Sequence, residues 1–198
     1  MSHNSDAEEL LRLVKEGTSP FHVTAWVERQ LKKEGFVRLF MEQDWGLDNG
    51  GKYYVVHNGS SLIAFTVGEH LQFGDSFRIA AAHTDFPGLR VKPSPEITTD
   101  GYQELNGEGY GGAILNTWLD RPLSAAGRVV LRSDSIFEPK VHLVDFRKPF
   151  LTIPNLAIHI NRDVNKGVEL NKQTDMLPVL GITEEESGEE FFRKCLVR

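Results

Sequence analysis

Asn58-Gly59 stands between two runs of β-type residues, Lys52–His57 and Ser61–Gly68. An Asn-Gly pair accepts the positive φ angles of a two-residue turn at little steric cost, and the twist of that turn matches the strands it joins. The pair therefore predicts a hairpin and anchors the reading of its neighbours. Upstream, Ser5-Asp6-Ala7-Glu8 forms a capping box, Ala7, Leu10, Leu11 and Val14 follow at helical spacing, and Gly17 closes the helix. Ser19-Pro20 opens a second helix with Val23, Val27, Gln30 and Leu31 along one side, and Gly35 ends it. Phe36–Leu39 is a short strand. Phe77–Ala82, a run of small and apolar residues, is expected to be a buried strand ending at His83. Residues 1–93 are thus expected to be α/β, with two helices covering a sheet.

The character of the chain changes at Pro93-Ser94-Pro95, and the boundary is placed between Lys92 and Glu96. Gly is dense from Gly101 to Gly112, and Gly127–Arg132, Val141–Phe146 and Leu156–Ile160 are expected to be strands separated by Pro or polar turns. Residues 94–198 are expected to form a second, β-rich unit. The acidic run Glu184–Glu190 is expected to be a solvated helix or loop. With 198 residues, the chain has room for one domain or one domain and part of another.

A net charge of -6 gives no reason to expect nucleic acid or an anionic membrane as a partner. No apolar run approaches the roughly 20 residues of a membrane span. The start of the chain has neither the basic nor the apolar region of a secretory signal. A single cysteine, Cys195, excludes an internal disulfide framework and fits a reducing compartment. A cytoplasmic location is the expectation.

His83-Thr84-Asp85 is the most informative trio. It follows an expected buried strand, and ligand sites of open α/β sheets gather at the C-terminal strand edge. Residues two apart in extended chain point the same way, which sets Asp85 beside the imidazole of His83. A carboxylate that holds one ring nitrogen leaves the other for a metal. The alternative is a loop histidine followed by an Asp that caps the next turn; a zinc site needs three or four ligands, and spacing alone supplies one. His159 falls on the polar face of the expected strand 156–160, opposite Leu156, Ile158 and Ile160, which marks it as accessible or interface-facing. Gly107-Glu108-Gly109-Tyr110-Gly111-Gly112 contains a literal G-x-G-x-x-G, but no apolar strand precedes it, so a Gly-rich bend is the better account. Neither G-x-S-x-G nor H-E-x-x-H occurs.

Several of these segments resemble one family. Ser19-Pro20-Phe21-His22, Gly50-Gly51-Lys52-Tyr53, Asn58–Phe65, and Ala82-His83-Thr84-Asp85 with Pro87 and Leu89–Lys92 are similar to the aspartyl aminopeptidases and their bacterial relatives. Tyr110-Gly111-Gly112, Thr117–Leu123, Ala126–Val129 and Ile153–His159 continue the match. Phe86 departs from it, at a position where the family usually has Ser. The resemblance implies an α/β catalytic domain around a two-zinc site, with a β-rich dimerisation domain inserted into it and assembly into larger particles. His83 matches the first zinc ligand and Asp85 the carboxylate that orients it. His159 matches a histidine assigned either as a further zinc ligand or as a residue offered to a neighbouring subunit's active site, where it would contact the substrate or oxyanion; its position beyond the expected boundary favours the second role. The implied reaction is release of an N-terminal, acidic residue from a peptide, with two zinc ions and a Glu base. The later ligands of the family are not found in this sequence. Asp120 is expected to pair with Arg121 or Arg128 rather than bridge metals. The leading expectation is a zinc aminopeptidase represented by its N-terminal portion, inactive alone. The alternative is a non-catalytic assembly module derived from such an enzyme.

Overall fold

A computed structural model describes residues 3–135, 137–167, 169–182 and 191–196. The acidic run Glu184–Glu190 lies outside the described residues. The chain forms two compact units. The first comprises residues 1–85 and 126–145; the second comprises residues 86–125 and 146–198.

In the first unit, helices α1 (His3–Glu16) and α2 (Pro20–Lys33) precede strands β1 (Val37–Leu39), β2 (Lys52–His57) and β3 (Ser61–Thr66). Ser19 caps α2: its side chain accepts the His22 N–H, and its Oγ lies 2.7 Å from His22 Nδ1. β1 runs parallel to β2, and β2 pairs antiparallel with β3, with His57 opposite Ser61. That register leaves three residues, Asn58, Gly59 and Ser60, in the turn, one more than a two-residue turn, and Asn58 and Gly59 take the positive φ angles of 52° and 68° that the dipeptide accepts. Tyr53, Tyr54 and Val55 of β2 are buried. Tyr54 Oη donates to Glu28 Oε1 of α2 at 3.1 Å, and the same oxygen takes Arg38 of β1 at 2.9 Å and Lys32 at 3.1 Å. Burial, then the nearby Glu28 carboxylate, pushes the Tyr54 phenol up, so it stays a neutral donor.

The hairpin of β4 (Gly88–Thr99) and β5 (Tyr102–Tyr110), with β8 (Val179–Ile182) on the free edge of β5, makes the sheet of the second unit. Its core joins Leu105, Leu151 and Phe192, the last on α3 (Phe191–Leu196), with Leu123, Ala125, Phe150, Leu180 and Leu196 packed around them. β6 (Ala126–Leu131) and β7 (Lys140–Asp145) form a separate hairpin that belongs to the first unit. Asp145 accepts from Thr18, and the Arg128 guanidinium stacks 4.5 Å from the Phe21 ring centroid.

These units differ from the expected division into residues 1–93 and 94–198. β4 runs through the expected boundary, and Pro93-Ser94-Pro95 marks a break in its register between Val91 and Glu96. Proline has no N–H to give a ladder, so the composition change marks a bulge within a strand rather than a boundary between units. The Gly-rich stretch is likewise not a bend: Gly107 and Gly109 lie inside β5, and the turn comes only at Gly111, with φ of 72°. Gly109 lacks the Cβ that would crowd the Lys172 side chain at 3.1 Å.

Two expected strands are corrected. Phe77–Ala82 forms no strand and lies open, Phe77 at 91% and Ile79 at 87% exposure. A run apolar on both faces becomes a strand only with neighbours at both edges and cover on both sides, and none of the described strands pairs with it. Leu156–Ile160 is a turn: the Ile160 and Asn161 N–H groups both donate to Ala157 O, so its hydrogen bonds close locally instead of in a ladder. Leu156, Ile158 and Ile160 are exposed. No helix among the described residues is long and apolar enough to cross a membrane.

Candidate functional site

In the first unit, His83 lies after the open 77–82 run rather than at the end of a buried strand. Its Nδ1 is 2.6 Å from the backbone oxygen of Asp85 and 3.5 Å from Asp85 Oδ1. A carbonyl oxygen can only accept, so Nδ1 carries the proton. With Nδ1 committed to that bond, Nε2 is the nitrogen whose lone pair a metal would take. The spacing predicted that residue 85 would hold the ring. The structure uses the backbone carbonyl first, with the carboxylate second. The His83 side chain is 81% exposed and that of Asp85 39%, so the imidazole is accessible.

Thr84 stands between His83 and Asp85. Its hydroxyl donates to Ser60 O at 2.8 Å, which ties the segment to the turn of the β2–β3 hairpin. Nothing in the sequence marks this bond, because its partners are 24 residues apart. Arg128 Nη1 donates to Asn58 O at 2.8 Å while its guanidinium lies over Phe21, so the same turn is held from β6.

His159 belongs to the second unit, where it is exposed in the 158–160 turn. Asp120 shapes the segment leading to it. With φ of 56°, Asp120 accepts the Asn155 N–H at 2.9 Å, and Asn155 Oδ1 accepts the Leu156 N–H at 2.9 Å. The expected Asp120–arginine pair is not what forms: Arg121 donates to Thr117 O, and Arg128 serves the Asn58 turn. Cys195 is a free thiol.

His83 with its fixed Nδ1 fits one position of a zinc site. Among the described residues, no group of three or more His, Cys, Asp or Glu could hold a metal ion. The described residues therefore do not complete the site.

The sequence profile of the family described as Aminopeptidase I zinc metalloprotease (M18) matches residues 13–194. This chain belongs to the M18 aminopeptidase family. The M18 chain is 48% identical over 177 residues to the probable M18 family aminopeptidase 2 of Clostridium novyi (strain NT), covering 89% of this chain and 41% of that relative. It thus spans well under half the length of that curated relative. Its fold superposes with a TM-score of 0.86 on a chain of the Ape4 and Nbr1 complex, at 36% identity, covering 94% of this chain and 36% of the other. The S. cerevisiae mApe1 dodecamer matches with a TM-score of 0.70 at 26% identity, over 92% of this chain and 50% of that one. Phe86, the departure next to Asp85, is 44% exposed.

Proposed function

We propose that this chain is the N-terminal portion of a zinc aminopeptidase that removes an N-terminal residue from peptides. The observation that carries the reading is the His83 imidazole, whose Nδ1 is committed to Asp85 O at 2.6 Å so that Nε2 is the nitrogen left for zinc. His83 is the first ligand of a two-zinc site, Asp85 orients it, and the remaining ligands come from chain beyond Arg198. Preference for an acidic N-terminal residue rests on the resemblance to aspartyl aminopeptidases. The dodecamer of S. cerevisiae mApe1 supports self-association, with the second unit, residues 86–125 and 146–198, contributing the subunit contacts and its His159 reaching the substrate or oxyanion of a neighbouring active site. Direct zinc ligation by His159 is the competing role. A cytoplasmic location is part of the proposal and rests on the free Cys195.

The test is His83→Ala in the polypeptide of full family length, with zinc measured per subunit. The expected result is loss of zinc from one of two sites; full zinc at both sites refutes the assignment. A second reading, a non-catalytic assembly module, is favoured by the lack of a three-ligand group among the described residues. The reading frame after the Arg198 codon separates the two: missing carboxylate and histidine ligands encoded there support the enzyme, and an immediate stop supports the module.

A further inference from the structure

We propose that Thr84 is a positioning residue for the His83 imidazole, acting through the β2–β3 turn; the proposal rests on the reading of His83 as a metal ligand. His83 sits on a segment that has no place in a sheet: residues 67–87 contain no strand, and Phe77 and Ile79 within it are almost fully exposed. Backbone without a ladder samples many conformations, and an exposed side chain on it samples more. The ring nevertheless has a specific bond, Nδ1 to Asp85 O, which requires residues 83–85 to hold one backbone conformation. Thr84 is the middle residue of that three-residue loop. Its hydroxyl is bonded to Ser60 O at 2.8 Å, and both residues are half-buried.

The acceptor is itself fixed. Ser60 follows the Asn58-Gly59 turn, whose φ angles of 52° and 68° and flanking pair His57–Ser61 leave it little freedom. Arg128 holds the opposite side of the turn through Asn58 O, and its guanidinium is stacked on Phe21 of α2. A path of direct contacts thus runs from α2 and β6 through the hairpin turn to Thr84, and from Thr84 along two peptide bonds to the ring. The link that Thr84 makes is one hydroxyl, and its removal is expected to loosen the loop while the hairpin, with its own six paired positions, stays folded.

The readout is the tautomer of His83 in the metal-free chain of 198 residues, taken from imidazole nitrogen chemical shifts recorded at a pH well above the roughly 6.5 at which a model histidine titrates. Wild type is expected to show a protonated Nδ1 and an unprotonated Nε2. Thr84→Val, equal in shape but without the hydroxyl, is expected to move the two resonances toward each other as both tautomers are populated, while Thr84→Ser keeps the wild-type pair. Unchanged shifts in Thr84→Val, or an equal change in Thr84→Ser, overturn the proposal. Should Thr84→Val fail to fold, Arg128→Gln is read instead; a shift at His83 supports the path and an unchanged His83 overturns it. Because no metal enters the measurement, failure here is distinct from failure of His83→Ala to lose zinc.

Discussion

Glu28 joins three elements of the first unit, and its removal is expected to strand a buried hydroxyl. Three donors from three elements converge on Oε1: the fully buried Tyr54 of β2, Arg38 of β1, and Lys32 of α2. Lys32 is 60% exposed and Arg38 38%, so water screens both pairs and neither carries the main effect. Tyr54 is different, because a buried hydroxyl that loses its acceptor costs about 1–3 kcal/mol. Glu28→Ala is therefore expected to destabilise by about 2–3 kcal/mol, mostly through Tyr54, and Tyr54→Phe by about 1 kcal/mol. In the double variant no hydroxyl is stranded, so its cost should fall short of the sum by about 1 kcal/mol. Urea unfolding followed by circular dichroism measures all three. Additive costs would refute the claim that the Tyr54 hydroxyl carries the effect. Acid adds a second arm. Burial works to raise the Glu28 carboxyl, but the Lys32 hydrogen bond, the Arg38 charge and the Tyr54 hydrogen bond outweigh it and hold the group below its ordinary value of 4.5. Since the folded value is the lower one, the stabilisation is complete above 4.5 and is lost as pH falls through the folded value. The stability gap between wild type and Glu28→Gln should be constant above that pH and narrow below it.

The purified chain alone is expected to show no zinc-dependent hydrolysis of an aspartyl-anilide; measurable turnover refutes the view that its ligand set is incomplete. Open apolar side chains such as Phe73, Phe77 and Ile79 predict self-association, and a concentration-independent monomer in analytical ultracentrifugation would count against it. In the polypeptide of full family length, His159→Ala should keep zinc and assembly while turnover falls about 10²–10³-fold, as for loss of one oxyanion donor. Mixing it with His83→Ala subunits should restore part of that activity. Mixed particles without recovery refute action across subunits, and loss of zinc establishes direct ligation.

Local chemistry was legible in the sequence wherever the interactions are local. The capping Ser19 and the Pro20 that follows it start α2, and Asn58-Gly59 turns the hairpin, because each depends on backbone angles and on neighbours within a few residues. The likeness to zinc aminopeptidases was also legible, carried by long ordered motifs, and the family match confirms it. Apolar pattern alone misplaced Phe77–Ala82 and Leu156–Ile160, since a strand exists only when another strand takes its hydrogen bonds. Pro93-Ser94-Pro95 was read as the boundary between two units, but the long partner strand β5 carries β4 across it as a bulge. The candidate site divides in the same way. His83 and Asp85 were named from their spacing, and tertiary structure decided that the backbone oxygen of Asp85 holds the ring. It also decided that Thr84 reaches Ser60 and that Arg128 braces the turn across 70 positions of sequence. Such bonds join residues that are distant along the chain, and only the folded chain brings them within hydrogen-bonding distance.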